Sequence, residues 1–261
     1  MIRFRKMVFR VLLALTILWG CSDASNNTAK VKTPSPTDQK TAKDKVKKPK
    51  LEWPETGKIK AFFEAYGKEN PETHVLLKTR LGNIEIELFE DTPLHRANFI
   101  FNIKRGLLHR TIFYRVVPGF MIQGGNSDHD QTLEKREGAG SYYIPSERGK
   151  HIHKKGALSM AMSYKDNPQN KSAQYSFFIV MGSRFTEDGL DATEKEYEVS
   201  IPEENRVVYK EVGGSPHLDH KHTVFGRVVS GMEVVEAISK EPRDSGDWPV
   251  NDVIIEYEVL K

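Results

Sequence analysis

Phe113-Tyr114-Arg115-Val116-Val117-Pro118-Gly119-Phe120-Met121-Ile122-Gln123-Gly124-Gly125 is the stretch whose reading decides the fold. It reads as two short strands, Phe113–Val117 and Phe120–Gly124, parted by Pro118-Gly119, because runs of β-branched and aromatic residues between turn formers favour extended backbone. The same grammar recurs on both sides. His74 to Phe89 reads as two strands joined through Leu81-Gly82-Asn83, with Ile84, Ile86 and Leu88 alternating against Glu85 and Glu87. Further strands are expected at Ala157–Met162, Phe177–Met181, Thr223–Val229 and Val253–Leu260. Thr92-Pro93 gives a cap-then-proline helix start, followed by an apolar face of Ala97, Ile100, Phe101 and Ile103. A second helix is expected at about Met232–Ile238. Many short strands with only two helices predict a mainly β chain closed into an antiparallel barrel.

Two segments stand outside this rhythm. Ile59, Phe62, Phe63 and Tyr66 follow helical spacing and predict a short helix ending near Gly67, in an N-terminal extension spanning 51–71. Residues 183–216 are acidic, with Pro202 and Gly213-Gly214 as punctuation, and are expected to insert one or two short helices into the main domain of 72–261. Excursions of this length within a compact domain are usually functional or disordered.

The first 50 residues differ in kind. They hold 12 Lys/Arg against 3 Asp/Glu, whereas the remaining 211 hold 27 against 33. The basic balance thus belongs to the leader and tail, and the mildly acidic main domain does not offer the basic face that nucleic acid requires. Arg3, Arg5, Lys6 and Arg10 precede the apolar run Val11–Trp19, which is too short to span a bilayer and suits a signal peptide over residues 1–20. The run ends in Leu18-Trp19-Gly20-Cys21, which resembles a bacterial lipobox and makes Cys21 the expected lipidated residue. Cys21 is also the only cysteine, so no intramolecular disulfide forms. Residues 22–50, with eight lysines and almost nothing apolar, are expected to be a disordered tether. The implied location is extracytoplasmic and membrane-anchored, with Ser22 after the cysteine favouring the outer membrane or periplasmic face by the proteobacterial sorting rule.

From about Val75 to Leu260 the chain resembles the cyclophilins. The resemblance rests on ordered blocks: Thr79-Arg80-Leu81-Gly82-Asn83-Ile84, Ala97-Asn98-Phe99, the opening stretch, Gly156-Ala157-Leu158-Ser159-Met160-Ala161, Ser176-Phe177-Phe178-Ile179 and Leu218-Asp219-His220-Lys221-His222-Thr223-Val224-Phe225-Gly226. It implies an eight-stranded antiparallel barrel capped by two helices, and peptidyl-prolyl cis-trans isomerase activity on proline-containing polypeptides without metal or cofactor. By the match Arg115 is the catalytic donor, and Gln123 helps hold Arg115 and the substrate backbone. Phe120, Met121, Phe178 and Leu218 match the proline pocket with His222 on its wall, and Ala161 lines the backbone groove. Three positions depart from the pattern. Ser176 stands where many members have a substrate-binding glutamine, for which nearby Gln174 is a candidate substitute. Met162 replaces a usual asparagine, and His217 replaces the rim tryptophan, which predicts weak cyclosporin binding.

Blander readings compete at several residues. Val116, Ile122, Phe177 and Phe225 are expected in the barrel core. His217, His220 and His222 lie close in sequence but lack an organised carboxylate or cysteine set, so no metal site is expected. Asp128-His129-Asp130 reads as a solvated turn, and Gly138 and Gly140 as loop backbone. A low-turnover module or holdase that grips proline-containing segments would use the same pocket as an isomerase.

Overall fold

The structure is a computed structural model that describes residues 53–260. The expected signal peptide (1–20), Cys21 and the expected tether (22–50) lie outside the described residues. Eight strands form the closed antiparallel barrel: β1 (His74–Thr79), β2 (Gly82–Leu88), β3 (Thr111–Val117), β4 (Met121–Asn126), β5 (Ala157–Met160), β6 (Phe177–Val180), β7 (Val224–Ser230) and β8 (Val253–Val259). Around the barrel they run β1-β2-β7-β5-β6-β4-β3-β8, with β8 returning to β1.

The expected barrel is present with six α-helices among the described residues. The two caps, the N-terminal helix and helices in the acidic excursion were expected, and only the helix at Asp130–Ala139 was not. The two caps are α2 (Pro93–Lys104), packed on β7 and β8, and α6 (Met232–Ser239), packed on β2, β3 and β4. The others are α1 (Ile59–Glu69), α3 (Asp130–Ala139), and α4 (Glu187–Tyr197) and α5 (Glu203–Glu211) within the acidic excursion. Helix α3 starts at Asp130, the last residue of the expected turn, leaves the exposed Asp128 before it, and includes Gly138, expected as loop. Its faint amphipathic signal is why sequence periodicity passed over it. Its anchor is specific instead: the Thr132 hydroxyl donates to the His109 carbonyl at 2.6 Å, and Arg136 donates to Leu107 and Gly125 carbonyls at 2.8 Å.

The core follows from the period-two pleat, which sends alternate residues to opposite faces. Val116, Ile122, Phe177 and Phe225 point inward and are fully buried, with Phe99 from α2 packing 5.5 Å from both Phe177 and Phe225. Gly124 in β4 is needed here. A Cβ at this position would lie 3.1 Å from Phe113, Phe177 and Ile255, so the rings already occupy that space. Their neighbours Met121 and Phe178 point outward and join Val180, Leu218 and Val224 in a separate apolar cluster. That outer cluster is the foundation of the site.

Local details correct the sequence reading. The β1–β2 connection is shorter than expected, because Gly82 and Asn83 already pair with Thr79 and Lys78. Helix α1 ends at Glu69, close to the expected Gly67, which itself lies inside the helix, where a Cβ would be only 3.1 Å from that of Ala97. Its missing side chain allows α1 and α2 to approach. Phe62, Phe63 and Tyr66 surround Phe101 at 5.2–5.7 Å, and Arg96 donates to the Gly67 and Asn70 carbonyls at the end of α1. Thr92 precedes α2 as expected, but its hydroxyl bonds to the Phe89 carbonyl and does not cap the helix. Glu147 does so from 53 residues away, accepting from the Leu94 and His95 N–H groups at 3.2 and 3.0 Å. A carboxylate here also complements the positive end of the helix dipole.

The α4–α5 hairpin leaves the barrel after β6 and rejoins it at Gly213-Gly214. Gly182 has φ +53°, and a Cβ there would sit 2.3 Å from the Gly214 backbone, so the stem of the hairpin closes glycine against glycine. Arg206 of α5 joins Glu187, Asp191 and Glu194 of α4 in one ion network. Beneath it Leu190, Ile201 and Tyr209 form a small core.

Candidate active site

Pairing across β3, β4 and β6 places Arg115, Gln123 and Phe178 in one row on the outer face. The β3–β4 register shifts between Phe113 and Arg115, an irregularity of the kind that re-aims a side chain. Met121 lies beside this row, and Phe120 supplies the turn just before β4. Ala161 and Met162 follow the end of β5, which stops at Met160 and not at Met162 as expected. Leu218 ends a 3-10 turn, Pro216–Leu218, and His222 precedes β7. All eight substrate-site residues singled out in the sequence line a single pocket of ≈ 130 Å³: Arg115, Phe120, Met121, Gln123, Ala161, Phe178, Leu218 and His222. Met162 and Tyr164 complete it.

The floor is apolar and nearly dry: Met121, Phe178 and Leu218 are all buried. His222 is buried too, and its partners fix its tautomer. Nδ1–H donates to the Met160 carbonyl at 3.1 Å, which leaves Nε2 to accept from the Tyr164 hydroxyl at 2.6 Å. Desolvation pushes its pKa from the usual histidine range to about 4, so the ring is neutral at pH 7. Its ring stands perpendicular to that of Phe178, with centroids 5.3 Å apart. The pocket wall is therefore uncharged on this side.

Arg115 stands on the opposite side, partly exposed, with its Nε 3.5 Å from Asp247 Oδ2. Gln123 does not bond to Arg115 as the match implied. Its amide donates to the Tyr114 hydroxyl instead, and the ion-pair partner of Arg115 is Asp247, which also lies 3.4 Å from Arg243 Nε. Gln174 does not substitute for the glutamine missing at Ser176 either. It is buried beneath α2, where its side-chain amide donates to the Tyr175 hydroxyl at 2.7 Å and its backbone carbonyl accepts from Asn98 and Asn102. Ser176 contributes backbone, its carbonyl accepting from the Ala161 N–H at 2.9 Å.

Sequence reasoning missed Asp247 and Tyr164. Each lies on a loop and carries no periodic signal; Asp247 comes from far along the chain, whereas Tyr164 follows two residues after Met162. It also missed the layer behind Phe178, where His153 stacks at 6.0 Å and 11°. The carboxylate of Asp219 accepts from the His153 backbone N–H at 2.8 Å, lies 2.9 Å from its Nδ1, and accepts from the Tyr209 hydroxyl at 2.5 Å. His153 Nε2 is 3.1 Å from Ser159 Oγ. This is a serine–histidine–aspartate arrangement in order of contact, yet all three are buried. It braces the pocket and α5 and has no access to substrate. Among the described residues no group of three or more His, Cys, Asp or Glu side chains is arranged to hold a metal ion.

Residues 74–259 match the family described as cyclophilin type peptidyl-prolyl cis-trans isomerase/CLD. The chain is 32% identical over 191 residues to a Staphylococcus saprophyticus protein provisionally assigned as a peptidyl-prolyl cis-trans isomerase, covering 71% of this chain and 90% of that one. A similarly assigned Staphylococcus aureus protein is 33% identical, with 71% and 90% covered. A provisionally assigned bifunctional phosphatase/peptidyl-prolyl cis-trans isomerase of Streptococcus pyogenes is 36% identical over 189 residues, but the match spans only 37% of its length. Among solved structures, a Cryptosporidium parvum cyclophilin type isomerase crystallised in the presence of the dipeptide Ala-Pro superimposes with a TM-score of 0.51 at 22% identity, covering 72% of this chain and 99% of that one. The chain belongs to the cyclophilin-type peptidyl-prolyl cis-trans isomerase family, and is an enzyme of that type.

Proposed function

We propose that the pocket bounded by Arg115 and His222 rotates the peptide bond before proline in exported polypeptides, on a protein anchored to the membrane through Cys21. The observation that carries the site assignment is the convergence of eight residues, spread over more than 100 positions of sequence, on one pocket of proline-ring size. Phe120, Met121, Phe178 and Leu218 receive the ring, His222 walls it without charge, and Ala161 borders the path of the backbone. Arg115 donates to the prolyl nitrogen. That nitrogen loses its amide resonance as the bond twists, so a donor favours the twisted state over either planar one and lowers the barrier by differential binding. No bond breaks, and the residues need only hold, desolvate and polarise.

Magnitudes divide the work. Shortening an isomerisation from about 10 s to about 1 ms requires about 5.5 kcal/mol. A hydrogen bond to a charged group supplies about 1.5–3 kcal/mol, so the dry pocket must provide the remainder. Exchange NMR on a short Ala-Pro peptide tests this. Arg115→Ala is expected to lose roughly 10- to 150-fold in turnover, and equal rates would end the catalytic assignment in favour of a low-turnover binding module. His217 in place of the rim tryptophan supports weak cyclosporin affinity. The anchor is tested by labelled fatty-acid incorporation, which Cys21→Ala should abolish.

A further inference from the structure

The pocket wall does not stop at Phe120. Its ring lies 5.5 Å from that of His217 with the planes 33° apart, and His217 lies 4.8 Å from Tyr197 at the same tilt. Three rings thus form a continuous shelf from the pocket out onto the inserted hairpin. Tyr197 is the last residue of α4 and is 41% exposed, with Lys221 Nζ 5.7 Å from its ring centre. The shelf is not a loose loop. Helix α4 packs against the 3-10 turn that carries His217 and Leu218, and Tyr209 of α5 is tied to the buried Asp219 next to that turn. Burial, then the charge of Lys221, holds the His217 pKa below its usual value, so its ring is an uncharged surface at pH 7.

Phe120 and Ala161 stand at opposite ends of β6 (Phe177–Val180). The Met181 N–H just after it donates to the Phe120 carbonyl, and the Ala161 N–H donates to the Ser176 carbonyl just before it. Met162 and Tyr164 follow Ala161 in the pocket lining. A polypeptide whose residues before proline lie along that edge leaves the pocket over Phe120, toward the shelf. An exposed aromatic surface there gains from covering by an apolar or aromatic side chain. We infer that Tyr197, with His217, is a specificity-determining residue that receives the side chain of the residue following the substrate proline. The inserted hairpin is then part of the substrate site. This rests on the isomerase reading above.

The test uses the full-length protein and two peptides that differ only in the residue after proline, phenylalanine or glycine. Wild type should favour phenylalanine, and Tyr197→Ala should cut the phenylalanine-to-glycine ratio of kcat/KM by roughly two- to ten-fold, mainly through KM. Tyr197→Phe, which keeps the ring, should retain the ratio. A Tyr197→Ala effect equal on both peptides, or no effect on either, overturns the inference. If wild type turns over neither peptide, the isomerase reading fails separately. The subsite is then judged by the ratio of the two peptides' Kd values from NMR shift titration, where an unchanged ratio in Tyr197→Ala overturns it.

Discussion

Acidification should weaken the fold through His222, by an amount the structure allows to be worked out. The imidazole is buried beside Phe178 and Leu218, donates from Nδ1 to the Met160 carbonyl and accepts at Nε2 from Tyr164. A second proton would have to go on Nε2, where it confronts the Tyr164 hydroxyl and places a charge on the apolar wall. Burial therefore pushes the folded-state pKa down to about 4 from the ordinary histidine value of 6.5. The sign follows from which state takes up the proton first. Between those two values the unfolded chain binds it and the folded one does not, so stability is complete above about pH 6.5 and falls as pH drops toward 4. Below that both states are protonated and the loss levels off. A separation of this size corresponds to about 3 kcal/mol, to order of magnitude. Urea unfolding of wild type and His222→Gln at several pH values between 7 and 4 isolates the effect, because the buried His95 and half-buried His217 titrate in both proteins. The wild-type curve should steepen relative to the variant by about 3 kcal/mol over that range. Parallel curves, within about 0.5 kcal/mol, would refute the claim that this wall is neutral by burial.

Other consequences concern how the parts are fastened. Asp219→Ala leaves the His153 and Tyr209 donors buried without their carboxylate and is expected to cost about 3–5 kcal/mol in urea unfolding, with Tyr209→Phe costing about 1–3 kcal/mol. Glu147→Ala uncaps α2 and strips His95 of a partner. It should cost about 1–3 kcal/mol and lower Tm by roughly 2–12 °C in a calorimetric scan. Gly182→Ala forces a Cβ into the Gly214 backbone at a positive φ, and limited proteolysis should show the α4–α5 hairpin released before the barrel. Equal protection of both segments would count against the glycine stem.

The barrel was legible because its strands alternate strictly: Ile84, Ile86 and Leu88 face inward in β2 as the pattern demands. The floor of the site was legible through family resemblance, and the same alternation explains it, since Phe177 faces the core and Phe178 the pocket. The periodic pattern was silent where tertiary contacts decide. Asp247 reaches Arg115 across 132 positions, and Glu147 caps a helix that its own Thr92 does not. Gly67 reads as a helix stop, and is one in many sequences, but here it serves helix–helix packing. Gln174 reads as a neighbour of the groove, yet two buried asparagines claim its carbonyl and fix the chain so that its side chain turns inward. Residue identity alone does not reveal which carbonyls a buried asparagine will satisfy.

The closure of the sheet has a consequence if, as proposed, the substrates are extended, incompletely folded chains. Such chains carry unpaired backbone donors and acceptors and add readily to any free strand edge. Here every strand has a neighbour on both sides, from β1 around to β8 and back. A client segment can therefore bind only through side-chain pockets and short backbone contacts on the outer face, and it leaves again without peeling a strand. In the proposed role, the same architecture that supports the pocket would protect the protein from being recruited into aggregates of the chains it acts on.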